Sequence, residues 1–332
     1  MAPESTCTRT LSQPSPLNST WISGLSPGPV VSAQQIILFN LASSLTTSGS
    51  FKLFENLSQA MDPTSVNLLR FTSVPGFVIS RVSNPTSLDI FLTRSSGTIL
   101  SWQGTINGTW NTGALAGTQN FLNVANSTQT GYSNLRHDDV LFGDISSTSQ
   151  TINVVGNLSP NSVTFSNNTT LYTLSGAGTI TGTTSLVKNG TGTVYLATNN
   201  QYTGPTVVNG GTLLLGAGGT TGAISNSSTV FNFGVFGFNR SDSLSYSGTI
   251  HGPGAVSIQS GTISLGGTND YTGATSVASG ASLIVTGALG NTPITVASGG
   301  TLSGSGSIGS DSVTILSGAS LVGTLSVGGV VS

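Results

Sequence analysis

Charged side chains are scarce in this sequence. Asp, Glu, Lys and Arg make up 5% of its 332 residues, against roughly 25% in an average soluble domain. The formal net charge is −2, and the eight Lys and Arg residues are scattered as far as Arg240. A nucleic-acid-binding protein needs a positively charged surface to meet the phosphates. The sequence therefore predicts no nucleic-acid partner.

Long apolar runs and cysteines are also lacking. No run reaches the ~18 apolar residues of a membrane-spanning helix. The best candidate, residues 30–39, is short, polar in its middle and not preceded by positive charge, so we expect neither a transmembrane segment nor a signal peptide there. The single cysteine, Cys7, cannot form an internal disulfide. We expect Cys7 to be a free thiol without a structural role. The alternative is a disulfide between two chains.

The residues that are abundant favour β-structure. The sequence has 45 glycines and is 36% hydrophobic, with much Ser, Thr and Asn between the apolar residues. Disordered chains are usually charged and poor in aliphatic residues, so this composition argues against disorder. High β-propensity with frequent glycine turns predicts an all-β protein.

A repeat of nineteen residues appears near the end of the chain. The run Val277–Leu283 returns as Val296–Leu302 and again as Ile315–Leu321. One such unit holds about three short strands and buries too little to fold alone, so units must stack on one another. The spacing predicts a parallel β-solenoid (β-helix) with coils of about 19 residues, in which Leu283, Leu302 and Leu321 form one internal column.

A longer stretch of sequence in the middle of the chain is repeated near its end. Tyr202 and Tyr271 occupy equivalent positions in the two copies. We divide the chain into a β-rich N-terminal cap or assembly region (1–97), Trp-containing first coils (98–149) and a repeat solenoid of nine or ten coils (150–332).

Residues 186–216 resemble the autotransporter-associated β-strand repeat family, also described as passenger-associated repeats, and residues 254–285 resemble it more weakly. The upstream Trp102-Gln103-Gly104 and Trp110-Asn111 resemble the segment that often precedes such repeats. The resemblance extends over about residues 98–332. It implies a right-handed β-helix, export to the cell surface, and a role in adhesion, display or envelope structure.

The densest polar cluster is Arg136-His137-Asp138-Asp139 with the nearby Asp144. The carboxylates could bind Ca²⁺, or His137 could be a base oriented by Asp139. No known calcium-loop spacing is present, so the preferred interpretation is a solvated loop before the strand Val140–Phe142.

A polysaccharide-degrading solenoid needs paired carboxylates on adjacent coils. From residue 145 onward the sequence offers only the carboxylates of Asp242, Asp270 and Asp311, with the bases Lys188, Arg240 and His251. Arg240 and Asp242 are expected to form an exposed loop ion pair. The sequence therefore predicts no catalytic, cofactor-binding or metal-binding residue.

Aromatic residues offer two weaker candidates. Tyr202 and Tyr271 could form a sugar-stacking platform, but packing against a neighbouring coil is the preferred interpretation. The run Val230–Phe238 is predicted to be one strand with both faces covered, or else an apolar patch for a partner. Triplets of the form Asn-x-Ser/Thr are attributed to chance and begin at Asn18, Asn56, Asn107, Asn126, Asn157, Asn189, Asn226 and Asn239.

These observations predict an extracellular or cell-surface structural or adhesive β-solenoid. Self-association is expected, end to end or through residues 1–97, because the stretch Ser312–Ser332 carries no charge or proline to discourage strand pairing. A surface glycan or host-cell ligand is a further expected partner. The alternatives are a secreted polysaccharide-active enzyme on the same scaffold and a subunit of a homopolymeric extracellular filament.

Overall fold

The structure is a computed structural model, and it describes residues 97–112 and 119–332 together with the backbone of six upstream strands. The chain divides into two compact units, residues 1–98 and 99–332.

The first unit contains six strands in two sheets. β1, β2 and β4 pair in parallel, whereas β3, β6 and β5 form an antiparallel sheet. The sequence of segments 35–40 and 88–92 has strand character, and the described residues of these segments lie in β2 and β6. The strands are β1 Cys7–Leu11, β2 Ile37–Leu41, β3 Gly49–Glu55, β4 Leu69–Phe71, β5 Phe77–Asn84 and β6 Ser87–Arg94.

The second unit consists of short strands and one 3₁₀ turn at Asn134–Arg136. The strands up to the middle of the unit are β7 Ile99–Trp102, β8 Thr109–Trp110, β9 Phe121–Asn123, β10 Thr128–Thr130, β11 Asp139–Gly143, β12 Ser149–Val154, β13 Asn157–Leu158, β14 Ser162–Ser166, β15 Leu171–Ser175, β16 Thr179–Ile180, β17 Ser185–Asn189, β18 Thr193–Leu196, β19 Thr206–Val208 and β20 Thr212–Leu215. The remaining strands are β21 Val230–Asn232, β22 Val235–Tyr246, β23 Ile250–His251, β24 Ala255–Leu265, β25 Thr275–Val277, β26 Ser282–Val285, β27 Ala288–Leu289, β28 Ile294–Val296, β29 Thr301–Gly304, β30 Ser307–Ile308, β31 Val313–Ile315, β32 Ser320–Gly323 and β33 Ser326–Val327.

Apart from β9 and β10, the strands of the second unit pair in parallel with strands one coil away. The first side of the coils runs through β7, β11, β14, β17, β19, β21 and β23, and the second through β8, β12, β15, β18, β20, the first halves of β22 and β24, then β25, β28 and β31. β13 and β16 pair with each other in a separate sheet, and the second halves of β22 and β24 form a further ladder with β26, β29 and β32. This arrangement confirms the predicted parallel β-solenoid, with about nine turns.

Coil length varies along the chain. Val277 pairs with Val296, nineteen residues later, as the sequence repeat predicts. Upstream, however, Val163 pairs with Leu186 and Thr206 with Val230, so these coils are several residues longer. The predicted coil length therefore holds for the C-terminal coils and for the step from Thr193 to Thr212, whereas some of the earlier coils carry longer loops between strands.

The core follows from strict alternation of inward and outward side chains. Strand β18 has its two alternate residues, Val194 and Leu196, completely buried. The predicted leucine column is confirmed in its pairing, since Leu283 lies beside Leu302 and Leu302 beside Leu321. Only the first two are buried; Leu321, in the last strand of this ladder, is 41% exposed.

Aromatic residues fill the first coils. Trp110 makes edge contacts with Phe121, Tyr132 and Phe142, at centroid distances of 5.5–6.1 Å. Phe142 in turn stacks on Phe165 of the next coil at 4.7 Å. Edge and offset contacts of this kind add to the hydrophobic burial, so the start of the solenoid has the bulkiest core.

A β-hairpin extends the first side at its N-terminal edge. Strands β9 and β10 are antiparallel to each other, and β9 is antiparallel to β7. A terminal coil otherwise presents unpaired backbone groups that attract other strands. The hairpin therefore occupies the β7 edge of this sheet.

The two sequence repeats occupy different sides of the coils. Thr206 lies on the first side, in the row Leu186–Thr206–Val230–Ile250. Its repeat equivalent, Thr275, lies on the second side beside Val256. The repeat copies are therefore displaced from one another by one side of the coil.

Candidate functional site

The two repeat tyrosines sit inside the solenoid in matching hydrogen-bonded networks. Tyr202 is fully buried, and its hydroxyl lies 2.8 Å from the Thr206 hydroxyl. Thr206 bonds at 3.0 Å to Ser228, which donates at 2.8 Å to the carbonyl of Gly204. Because Ser228 donates its hydroxyl proton to that carbonyl, Thr206 donates to Ser228, and Tyr202 donates to Thr206.

The second copy has the same geometry. Tyr271 is fully buried and lies 2.8 Å from Thr275, which bonds to Thr292 at 2.9 Å, and Thr292 donates to Gly273 O at 2.7 Å. Packing against a neighbouring coil, the preferred interpretation, is confirmed. The sugar platform is wrong, because neither ring reaches the surface.

Buried asparagines complete the repeat motif. The Oδ1 atom of Asn200 accepts a hydrogen bond from the backbone of Ile180 on the preceding coil at 3.0 Å. Asn269 does the same for Ile250, also at 3.0 Å. The Asn-x-Tyr part of the motif therefore serves to join one coil to the next.

Lys188 is buried inside the solenoid, which the sequence did not indicate. It pairs with Phe165 on one side and Val208 on the other, both inward-facing positions. Its ammonium group donates to the carbonyls of Asn189 and Gly190. Burial lowers the pKa of Lys188 from 10.5 to about 8, while the charge of Asp144 opposes this shift. Its inward position in the strand alternation was the available signal.

The carboxylates of the cluster around Asp138 are buried and hydrogen-bonded, and they do not lie in a solvated loop. Asp138 and Asp139 are almost completely buried. Asp138 accepts from Arg136 Nη2 at 2.7 Å and from the backbone of Ser133 at 3.0 Å. Asp139 accepts from Asn161 Nδ2 at 2.8 Å and from the Ser162 hydroxyl. The expectation of a solvated loop is wrong for both carboxylates, which are needed to satisfy neighbouring donors.

The other members of that cluster lie apart. His137 is exposed and has a left-handed backbone, with φ of 50°, and the two hydrogen bonds of Asp139 go to residues of the next coil. Asp144 is exposed and accepts from three successive backbone amides, those of residues 168–170, at 2.9–3.0 Å for its Oδ1 atom. These bonds lower the pKa of Asp144. Asp144 therefore closes a turn of the following coil.

Arg240 and Asp242 form the predicted ion pair, in a different setting. Nε of Arg240 lies 2.8 Å from Asp242 Oδ1, and Nη2 lies 2.9 Å from Oδ2. Arg240 is buried within β22 and also donates to the carbonyls of Gly222 and Thr220. The expectation of an exposed loop pair is therefore wrong for the arginine, which lies in a strand and ties it to the preceding turn. The pair lowers the pKa of Asp242.

His251 and Asp270 form a cross-coil pair, which sequence reasoning missed. His251 Nδ1 donates to Asp270 Oδ1 at 2.5 Å. The ring of Phe231, one coil earlier, stacks on the imidazole at 5.7 Å. The available signal was the spacing of nineteen residues between His251 and Asp270, one coil length.

The aromatic run from Val230 is two strands rather than one. β21 ends at Asn232 and β22 begins at Val235, with a turn between them. Phe236 and Phe238 are fully buried, whereas Phe231 and Phe233 are partly exposed. The prediction of one strand with both faces covered is wrong, because Gly234 packs against the backbone of Gly210 and Gly211 at a corner of the coil.

In residues 97–112 and 119–332, no group of three or more His, Cys, Asp or Glu residues is arranged to hold a metal ion. No helix in the described part of the chain is long and apolar enough to cross a membrane.

The geometry defines a parallel β-solenoid whose motif residues join its coils. Two stretches, residues 186–215 and 258–285, match the family model of the Passenger-associated-transport-repeat. This match confirms the predicted resemblance for these two stretches.

One curated relative is the "Adhesin BmaC autotransporter" of Brucella suis biovar 1 (strain 1330). The two sequences are 47% identical over 87 residues, which is 26% of this chain and 2% of the relative. The shared stretch is therefore a small part of that protein. No solved structure matches this chain.

Proposed function

We propose that this chain is an extracellular, cell-surface β-solenoid with an adhesive role. The observation that carries the proposal is the presence of two passenger-associated-transport-repeats within one continuous parallel solenoid. The similarity to a protein described as an adhesin supports the same role. The partner class is a surface glycan or a ligand on a host cell.

The structural contacts favour adhesion over catalysis. A glycoside hydrolase needs two carboxylates placed around one scissile bond. Here Asp242 is held by Arg240 and Asp270 by His251, so each carboxylate has a structural partner. The alternative, a polysaccharide-active enzyme, predicts release of reducing sugar from pectin or xylan that is lost in Asp242→Asn or Asp270→Asn.

Adhesion is tested with beads that carry the full chain. The beads are presented to a glycan array, to immobilised extracellular matrix proteins and to cultured epithelial cells. Saturable binding that soluble chain competes away is the expected result. Binding no stronger than that of albumin-coated beads on all three surfaces would overturn the proposal.

We further propose that copies of this chain associate with one another. β32 and the residues that follow β33 expose large apolar side chains, including Val322 at 58% and Val330 at 72%. The low charge means that electrostatic repulsion between copies is weak. The assembly could be a filament, and its strength should change little with salt.

Light scattering at micromolar concentration measures this association. The variant Val322→Lys/Val330→Lys should lower the apparent mass, because it places two charges on the apolar surface. Ser326→Lys, an exposed position in the same coil, is the matched control and should leave the mass unchanged. A monomer at all concentrations would contradict self-association.

A further inference from the structure

Among the Asn-x-Ser/Thr triplets in the part of the chain that the structure describes, one differs from the others. The triplet Asn126-Ser127-Thr128 lies at the tip of the β9–β10 hairpin, and all three residues are exposed. In the described part of the chain, which also holds triplets at Asn167 and Asn168, every other triplet has at least one residue that is buried or partly buried.

Two of the other described triplets take part in contacts between coils. In Asn226-Ser227-Ser228 the third residue is buried and its hydroxyl donates to Gly204 O. In Asn239-Arg240-Ser241 the middle residue is buried. An enzyme that contacts all three residues of a triplet could bind either one only by displacing its buried residue.

The hairpin triplet is folded back on itself. The Oδ1 atom of Asn126 accepts a hydrogen bond from the hydroxyl of Thr128 at 2.7 Å and from its backbone N–H at 3.2 Å. Ser127 between them has φ of 55°, which places it in the left-handed region. Both bonds engage the amide oxygen, and no described residue engages the amide nitrogen. The nitrogen is therefore free to face a second substrate.

We propose that Asn126 is an N-glycosylation site. The acceptor triplet requires a surface loop of an exported protein, and the hairpin tip supplies one. The co-substrate is a sugar activated as a diphosphate ester. The Nδ2 atom of Asn126 forms a bond to the anomeric carbon, the carbon–oxygen bond to the diphosphate breaks, the diphosphate leaves with the electron pair, and a base of the transferase takes the amide proton.

The hairpin is suited to this modification because its strands lie at the edge of the sheet and not between two coils. Its strands pair only with each other and, through β9, with β7 at the edge of the sheet. A sugar at the tip would project from a turn and displace no buried side chain. It would also add bulk beside the sheet edge that the hairpin covers.

The test uses the folded full chain, a soluble asparagine-glycosylating transferase and UDP-glucose. Peptide mapping by mass spectrometry should find hexose on the peptide that contains Asn126. Asn126→Gln and Thr128→Ala should each abolish that modification, whereas the control Asn226→Gln should not change it. Denaturing the chain in urea before dilution into the reaction should make further triplets reactive.

Two results would overturn the proposal. The first is modification of other triplets in the folded chain while Asn126 stays unmodified. The second is a folded chain with no hexose when a short acceptor peptide in the same tube is modified. Either result would show that the exposed turn is not an acceptor.

Discussion

His251 on one coil is hydrogen-bonded to Asp270 on the next, with 2.5 Å between Nδ1 and Oδ1. The two side chains are 16% and 45% exposed, so solvent screens their attraction. The contact places a base and a carboxylate on neighbouring coils, where they contribute to stacking. The pair Arg240–Asp242 differs, because both of its members belong to one strand.

A double-mutant cycle measures the contact between His251 and Asp270. His251→Ala, Asp270→Ala and the double variant should give a coupling of about 0.2–1 kcal/mol in the free energy of unfolding, as for other partly exposed pairs. Asp270→Asn, which keeps an acceptor oxygen, should retain part of the coupling. Strictly additive effects in urea unfolding would contradict a cross-coil interaction.

Leu302 tests the internal column. Leu302→Asp should lower the free energy of unfolding by several kcal/mol, because it buries a charge without a partner. Ser303→Asp is the matched control: Ser303 is the next residue of the same strand and faces outward, so its change should be small. Equal effects of the two variants on the denaturation midpoint would argue against the register of β29.

The buried hydroxyl network of the repeat should contribute measurably to the free energy of unfolding. Thr206→Val keeps the shape of the side chain but removes the acceptor for the Tyr202 hydroxyl, at an expected cost of about 1–3 kcal/mol in unfolding free energy. Thr203→Val, on an exposed side chain three residues earlier, is the control. A neutral Thr206→Val would show that the buried hydroxyl finds another partner.

The buried tyrosines should make the fold sensitive to alkali. Burial raises the pKa of Tyr271 from 10.0 to about 12, and it also raises the pKa values of Tyr202 and Tyr246. Above pH 10 the unfolded chain loses these protons first, so the folded state binds more protons and loses stability as pH rises. Tyr271→Phe should reduce this slope. The tyrosinate absorbance should rise together with unfolding, and an earlier rise would contradict burial.

Lys188 should act in the opposite direction and at lower pH. Its pKa in the folded state is about 8, below the ordinary 10.5, so between these values the unfolded chain binds more protons. Stability attributable to Lys188 should therefore increase from pH 8 towards pH 10. Lys188→Met should remove this increase. A wild-type profile that is flat over the same interval would show that the ammonium group is solvated.

Constant spacing explains which features the sequence could reveal. Where coils are nineteen residues long, as at Leu283 and Leu302, residue numbers report the stacking directly, and the predicted pairing is confirmed. Where longer loops extend the coil, as between Thr206 and Val230, the same arithmetic fails. The burial of Asp139 and Arg240 could not be predicted, because it depends on donors and carbonyls contributed by neighbouring coils across such loops.

The positions of the site residues around the coil also could not be predicted from the sequence. The equivalence of Tyr202 and Tyr271 was visible in the repeat, but the side of the coil that each occupies was not. The coils between the two copies are unequal, and their summed lengths place Thr275 on the second side, whereas Thr206 lies on the first. A repeat in sequence predicts the local network and leaves its position around the axis undetermined.

The displacement of the repeat by one side bears on how such chains lengthen. A duplicated segment need not begin and end at coil boundaries, because its tyrosine, threonine and asparagine contacts form equally well one side further round. A breakpoint displaced by one side of the coil would still yield a chain that closes its turns. Selection can therefore change the length of this protein in steps of a fraction of a turn.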